Sequence, residues 1–375
     1  MNTDLYQSPW YREIFRDMNS IATKVESLRV GDAVIEEIDV RKVSDHDAQA
    51  INVFDNVLRA ESHPSDPPTP VELTAAGLRN IPDFANVRMF LARDTDGSIA
   101  ASGNAGFLDT EENKHLVQVS IGVRRDRRRQ GIGKALLGLA LGVAEANGRT
   151  LLVGNTAERV PAGEAFAQRM GAEPASAVHT NRLVLEEVDR DLVRRWIDEG
   201  PGRAPGYSLV WVDGVYPDDI IDEIVDVMHV MNDAPRDNLQ MEDQHFTPEQ
   251  FREMEKGMVA VGLELWSLFA RHDSTGQLVG LTHVSWLPAQ PDTIMQGNTG
   301  LRPEHRGHAL GKWLKAVMLE RILKELPAAV DIRTGNADSN DAMLGINREL
   351  GFKPYMPASV WQITADRVRQ YLDEA

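Results

Sequence analysis

The strongest restriction on how this chain can fold is a repeat: one pattern is written twice, at a constant offset of 178 residues. Arg128-Arg129-Gln130-Gly131-Ile132-Gly133 returns as Arg306-Gly307-His308-Ala309-Leu310-Gly311. In the same register Leu91-Ala92-Arg93 falls on Phe269-Ala270-Arg271, Thr69-Pro70 on Thr247-Pro248, and Asp55 on Asp233. Gly97 and Gly276, and Gly171 and Gly351, match with a drift of one or two residues, as small insertions in surface turns allow. Internal self-similarity of this kind fixes the fold as two copies of one unit. The 375 residues are long enough for two domains, each with its own core.

Each copy reads as a mixed α/β unit. A strand opens it (33–38; 207–212), then two helices follow (45–60 and 70–79; 218–231 and 248–257). Two strands joined by a turn come next, then a further strand (115–123; 293–301), an arginine-glycine loop and a long helix (133–147; 311–326). A strand (150–153; 329–334), a short helix ending in glycine and a last strand (182–186; 360–364) close the unit. Thr69-Pro70-Val71-Glu72 and Thr247-Pro248-Glu249-Gln250 both predict a capping box with proline at the first helical position. The boundaries that follow are an N-terminal extension at 1–26, a first domain at 27–188, a linker at 189–205 and a second domain at 206–375. Within the linker, 189–199 reads as helical and Gly200-Pro201-Gly202 as a break.

The chemistry is concentrated in the loop between strand and long helix. Glycines there let several backbone N–H groups converge, and the helix N-terminus adds partial positive charge, a combination suited to a diphosphate. Lys134 and Lys312 stand one position into the helix. A P-loop would need Gly-x-x-x-x-Gly-Lys-Ser/Thr, which neither copy has, and a Rossmann loop would need a third glycine where copy one has Leu136.

Arg/Gln-x-x-Gly/Ala-x-Gly/Ala after a strand resembles the GNAT superfamily of N-acetyltransferases, and the likeness covers each copy from first strand to last. The tandem layout resembles the mycothiol synthase-like actinobacterial tandem acetyltransferases. The resemblance implies two GNAT folds, each a mostly antiparallel sheet flanked by helices, with acetyl-CoA or another acyl-CoA as donor. It implies that Arg128, Arg129, Gln130, Gly131, Ile132, Gly133 and Lys134 hold the CoA diphosphate in copy one. Arg306, Gly307, His308, Ala309, Leu310, Gly311 and Lys312 do so in copy two. Backbone amides at Ile121 and Val123, or Thr299 and Leu301, would polarise the thioester carbonyl. Asn336 and Asn340 would lie by the pantetheine arm.

Two departures from the family pattern stand out. The tyrosine that protonates the leaving thiolate is replaced by Asn347 in copy two and Ala167 in copy one. The strand before the loop offers Gln118, or Gln296 and Asn298, where relatives place a carboxylate base. A protonated amine must lose a proton before it attacks. Candidates for that role are Asp233, Glu242, Asp243, His245 and His283. Copy two, with both asparagines and the Leu-Gly-Phe ending, reads as the catalytic half.

Composition narrows the partners. A net charge of −17 speaks against a duplex-binding face, which would have to neutralise phosphates. Cysteine is absent, which removes thiolate metal sites and cysteine nucleophiles and fits a reducing cytoplasm. His305 and His308 lack a third partner for a metal, and no apolar run reaches the length of a membrane span. The expectation is a cytoplasmic acyltransferase, monomeric or homodimeric, acting on a small-molecule amine without metal, membrane or nucleic acid. A non-catalytic acyl-CoA-sensing module, and acyl transfer to a hydroxyl or a carrier-bound group, are the alternatives.

Overall fold

A computed structural model describes residues 27–374 of the chain, so the N-terminal extension at 1–26 lies outside the described residues. The described chain forms two compact units. In the first, β1 (Leu28–Val30), β2 (Ala33–Ile38), β3 (Ala85–Arg93), β4 (Ile99–Leu108) and β5 (Leu116–Val123) form an antiparallel ladder in chain order. The helices α1 (Asp45–Ser62) and α2 (Val71–Arg79) lie between β2 and β3 in the chain. After β5 come α3 (Ile132–Ala146), β6 (Leu151–Ala157), parallel to β5, and α4 (Pro161–Met170).

The second unit repeats the plan. Its strands β8 (Tyr207–Asp213), β9 (Glu264–His272), β10 (Leu278–Leu287) and β11 (Gln290–Leu301) are antiparallel, and β12 (Asp331–Ala337) runs parallel to β11. Between them lie α6 (Ile221–Met228), α7 (Pro248–Ala260) and α8 (Leu310–Glu325), with α9 (Asp341–Leu350) after β12. Among the described residues, no helix is long and apolar enough to cross a membrane.

The compact units depart from the repeat boundaries at the last strand of each copy. Most of β7 (Glu173–Val184) and all of α5 (Arg190–Arg203), which end copy one, belong to the second unit, where residues 178–184 pair antiparallel with β12. The end of β13 (Lys353–Thr364) and α10 (Ala365–Asp373), which end copy two, belong to the first. There Ile363, Val368, Tyr371 and Leu372 join the core around α3. Each unit is thus completed by the segment that closes the other copy in sequence.

Three local expectations are corrected. The last strand of copy one starts at Glu173, not near Arg182, because pairing with β12 overrides the poor strand propensity of its polar residues. Asp189 caps α5 as its type suggests, accepting from the N–H groups of Asp191 and Leu192 at 3.0 Å, but the helix continues through Pro201 to Arg203. Gly200 is no breaker there. It lets the Trp313 ring approach so closely that a β-carbon would lie 2.4 Å from it. The capping box forms at Thr247 and Gln250 but not at Thr69, whose backbone is held by Asn52 and Asn56 of α1, so α2 starts without a side-chain cap.

The cores explain why the long helices sit where they do. In α3, Ile132, Leu136 and Leu141 are essentially inaccessible, and alanines and glycines fill the remaining faces, so sheet and α10 can both approach. Gly103 on β4 leaves room for Leu136, whose side chain would be 3.1 Å from a β-carbon at that position.

Candidate functional site

In both units the two parallel strands part. β5 pairs with β6 only over Leu116–Gln118, and β11 with β12 only over Thr293–Met295, although all four strands continue for several residues. The diverging ends leave backbone groups without a ladder partner on the side facing the gap. Their direction follows from strand alternation. The Arg302 N–H donates to Val279 of β10 and the Arg124 N–H to Ala100 of β4. Successive residues of a strand turn their N–H groups to opposite sides. The N–H groups of Thr299 and Leu301, and of Ile121 and Val123, therefore face the gap.

The loop beyond each gap folds the same way in both units. Arg129 and Gly131 adopt left-handed conformations (φ 65° and 86°), as do Gly307 and Ala309 (φ 87° and 56°). Alternating conformations of this kind turn consecutive N–H groups inward. Neither α3 nor α8 has a side-chain cap at its start, so the first N–H groups of both helices open toward the gap. A helix start of this form holds an anion.

The repeated arginine is committed to holding the loop. Arg306 donates from Nε to the Leu301 carbonyl at 3.1 Å and from a terminal nitrogen to Asp233 at 2.7 Å. Arg128 donates to the Val123 carbonyl at 3.1 Å and makes two bonds to Glu61, at 2.8 and 2.5 Å. The Arg128 bonds hold the Glu61 carboxyl below the ordinary carboxylate range. The partner in copy one is thus Glu61 of α1; Asp55, in register with Asp233, stays exposed.

A cavity of about 700 Å³ lies at the gap of the second unit and one of about 500 Å³ at that of the first. Thr299, Leu301, Arg306, Gly307, Ala309, Leu310, Gly311, Lys312, Asn340 and Asp233 line the larger. Ile121, Val123, Arg128, Arg129, Gly131, Gly133 and Lys134 line the smaller. Ile132 is instead core, and Gln130 bonds back to the Asp126 carbonyl at 3.1 Å. His308 packs on Tyr207, with ring centroids 5.6 Å apart.

The remaining expected residues lie away from the cavity. Asn347 is only 1% exposed and does not line it. Its Oδ1 accepts from Lys315 Nζ at 2.9 Å and its Nδ2 donates to Asn336 Oδ1 at 2.9 Å. One of the two Asn347 amide hydrogens is thus engaged, and the side chain is buried off the cavity wall. Lys315, unsuspected from the sequence, is buried and its ammonium is drawn down to about 7 by burial. The signal was present: residues 315, 318, 319 and 322 share one helical stripe, so a lysine stood on the core face of α8. Because Asn336 Oδ1 also accepts from Asn181 at 3.4 Å, its own amide hydrogens point elsewhere.

His283 sits on β10 where the register with β11 shifts, packed so tightly on Gly297 that a β-carbon there would lie 2.0 Å from its Nε2. Nε2 accepts from the Asn298 N–H at 3.3 Å, and burial pulls the ring down to about 4. His283 thus has its Nδ1 buried and its Nε2 lone pair engaged, and it does not line the cavity. Glu242 is exposed and does not line the cavity, Asp243 pairs with Arg236 at 2.6 Å, and His245 packs edge-on to His229. Asp233 and Asp341 are the carboxylates on the cavity wall.

Residues 55–172 match the acetyltransferase (GNAT) family model. No curated protein matches the chain. Among solved structures, a tandem GNAT protein from the clavulanic acid biosynthesis pathway is 28% identical, with 88% of this chain and 98% of that one covered and a TM-score of 0.71. A GCN5-related N-acetyltransferase from Sphaerobacter thermophilus is 13% identical over 88% and 96% of the two chains, with a TM-score of 0.62. A GCN5-related glucosamine N-acetyltransferase region of a fungal multi-domain β-N-acetylglucosaminidase is 13% identical over 89% and 38%, with a TM-score of 0.61. The last two likenesses concern the fold.

Proposed function

We propose that the chain is a tandem GNAT N-acetyltransferase that moves an acetyl group from acetyl-CoA directly to a small-molecule amine, and that the second unit does the chemistry. The observation that carries the reading is the conjunction, at one gap, of cleft-facing N–H groups on a splayed strand with an uncapped helix start. Bound acetyl-CoA would supply the activated acyl group. Gly307 through Lys312 would hold its diphosphate by backbone N–H groups, and the N–H groups of Thr299 and Leu301 would meet the acyl oxygen. Donors fixed before the reaction stabilise negative charge developing on that oxygen without reorganising.

Asp341 gives the wall a carboxylate for a cationic acceptor, Asp233 being bonded to Arg306. On transfer the carbon–sulfur bond breaks and a carbon–nitrogen bond forms; the amine gives up one proton and the sulfur gains one. The second unit is favoured because its cavity wall carries Asp341 besides the Arg306-bound Asp233, whereas the carboxylate on the first cavity's wall, Glu61, is bound to Arg128; Leu137 and Ala167, both buried, stand in the first unit at the positions of Lys315 and Asn347. The clavulanic acid context of the 28% identical structure favours an acceptor from specialised metabolism. The apolar substitutions also support a second reading for the first unit, that it binds acyl-CoA without turning it over.

The test is thiol release from acetyl-CoA across a panel of amines, with product mass confirming the acetylated amine. Absence of release with every amine, together with absence of CoA binding, would refute the proposal.

A further inference from the structure

We propose that the two cavities are unequal: the first unit carries a clamp for the phosphates of acyl-CoA, built from Arg129, Arg169 and the Tyr371 hydroxyl, which the second unit lacks. This rests on the CoA reading above and extends it to the division of labour between the units.

The units can be compared position by position. Lys134 of α3 and Lys312 of α8 stand at the same place beside an uncapped helix start. Lys312 is neutralised by Glu349 of α9, with Nζ 2.6 and 2.8 Å from the carboxylate oxygens. Counting back from the glycines that end α4 and α9, the residue equivalent to Glu349 is Arg169. In the first unit a second cation therefore stands where the second unit has an anion. Arg129 adds a third, at the position of Gly307. Arg129 and Arg169 line the first cavity and make no hydrogen bond or ion pair with the described residues. Lys134 is faced by the Asp373 carboxylate as well as by Arg169, so Arg129 and Arg169 are the cations that lower the energy of a polyanion binding at this helix start.

Tyr371 is an independent sign of a ligand. It is 8% exposed, lines the same cavity, and its hydroxyl has no hydrogen-bond partner among the described residues. Phe166 holds its ring edge-on at 6.4 Å and the Lys134 ammonium lies 5.4 Å from its centroid. A tyrosine so placed normally satisfies its hydroxyl. The residue lines the cavity and its hydroxyl is not sealed from solvent, so a phosphate oxygen bound there would accept from it. The matching aromatic over Lys312 is Trp196, at 4.8 Å, and it does not line the second cavity. Tyr371 lies in α10, so the first unit's clamp depends on the last helix of the chain.

The experiment is calorimetric titration of the full chain with CoA and, separately, with pantetheine, which lacks the phosphates. Two classes of CoA site are expected, at least about tenfold apart in affinity, as hydrogen bonds to charged groups provide. Pantetheine should show no such split. Arg169→Glu should weaken the tight class about tenfold, Tyr371→Phe should weaken it several-fold without a change in melting temperature, and Glu349→Arg should tighten the weak class. Two equal CoA sites in the wild type overturn the inference and leave the proposed function standing. So does a tight class indifferent to both Arg169→Glu and Tyr371→Phe. No CoA binding in either unit removes the proposed function as well.

Discussion

Replacing Lys315 by methionine tests the buried network through its pH dependence. Lys315 is 3% exposed and burial draws its ammonium from 10.5 down to about 7. Between those values the unfolded chain holds the lysine proton and the folded chain does not, so stability rises with pH by about 1.4 kcal/mol per pH unit. At pH 7.5 the folded protein bears a cost of about 4 kcal/mol for this lysine, and at pH 10 under about 1 kcal/mol. Methionine keeps most of the volume and removes that cost, but leaves Asn347 Oδ1 buried without its donor, a loss of about 2 kcal/mol. Lys315→Met should therefore be the more stable protein by about 2 kcal/mol at pH 7.5 and the less stable by about 1 kcal/mol at pH 10, crossing near pH 9. Urea unfolding of both proteins across this range, followed by tryptophan fluorescence, measures the difference, in which every other titrating group cancels. A difference that stays constant with pH would show that Lys315 titrates alike in both states, and the reasoning would fail.

Leu301→Pro deletes one cleft-facing N–H while leaving the β10 ladder intact; kcat should fall about 100-fold or more with little change in the circular dichroism spectrum, whereas Val123→Pro should leave turnover largely in place. Equal losses from the two changes would contradict the assignment of chemistry to the second unit. Ala309→Gly relieves a left-handed non-glycine residue at φ 56° and should raise unfolding free energy by about 1 kcal/mol in urea titrations; a loss of stability would mean the loop is held by something other than this strain. Gly200→Ala puts a β-carbon 2.4 Å from the Trp313 ring and should cost about 1–3 kcal/mol, visible as a lower melting temperature. A neutral effect would mean α5 can shift away from α8 freely.

What the sequence made legible was local. The loops at 128–133 and 306–311 depend on glycine chemistry and on neighbours a few residues away, and their repetition exposed them. Even there the compensation between copies escaped: where one loop has glycine at a left-handed position, the other has Arg129 or Ala309. Lys315 was hidden by its company, because a lysine amid charged and apolar residues of a long helix reads as solvated until the stripe it occupies is counted. Glu61 was missed because strict register nominated Asp55; α1 presents its carboxylate to Arg128 from a later turn, so charge is retained while position drifts.

The exchanged ends of the units could not be read from any pattern in one chain. Both copies close with a strand and a helix of similar character, and strand pairing depends on cross-strand packing that neither segment's own sequence records. The consequence reaches the chemistry. Were each copy to keep its own last helix, Trp196 would stand over Lys134 and Tyr371 over Lys312, and the aromatic hydroxyl would fall beside Glu349 in place of Arg169. The exchange instead brings the hydroxyl to the more cationic cavity. Two loops of one backbone form, already different at Arg129 and Gly307, therefore diverge further in electrostatics through residues far away in sequence, and the difference in their affinity for a polyanion is where that topology becomes measurable.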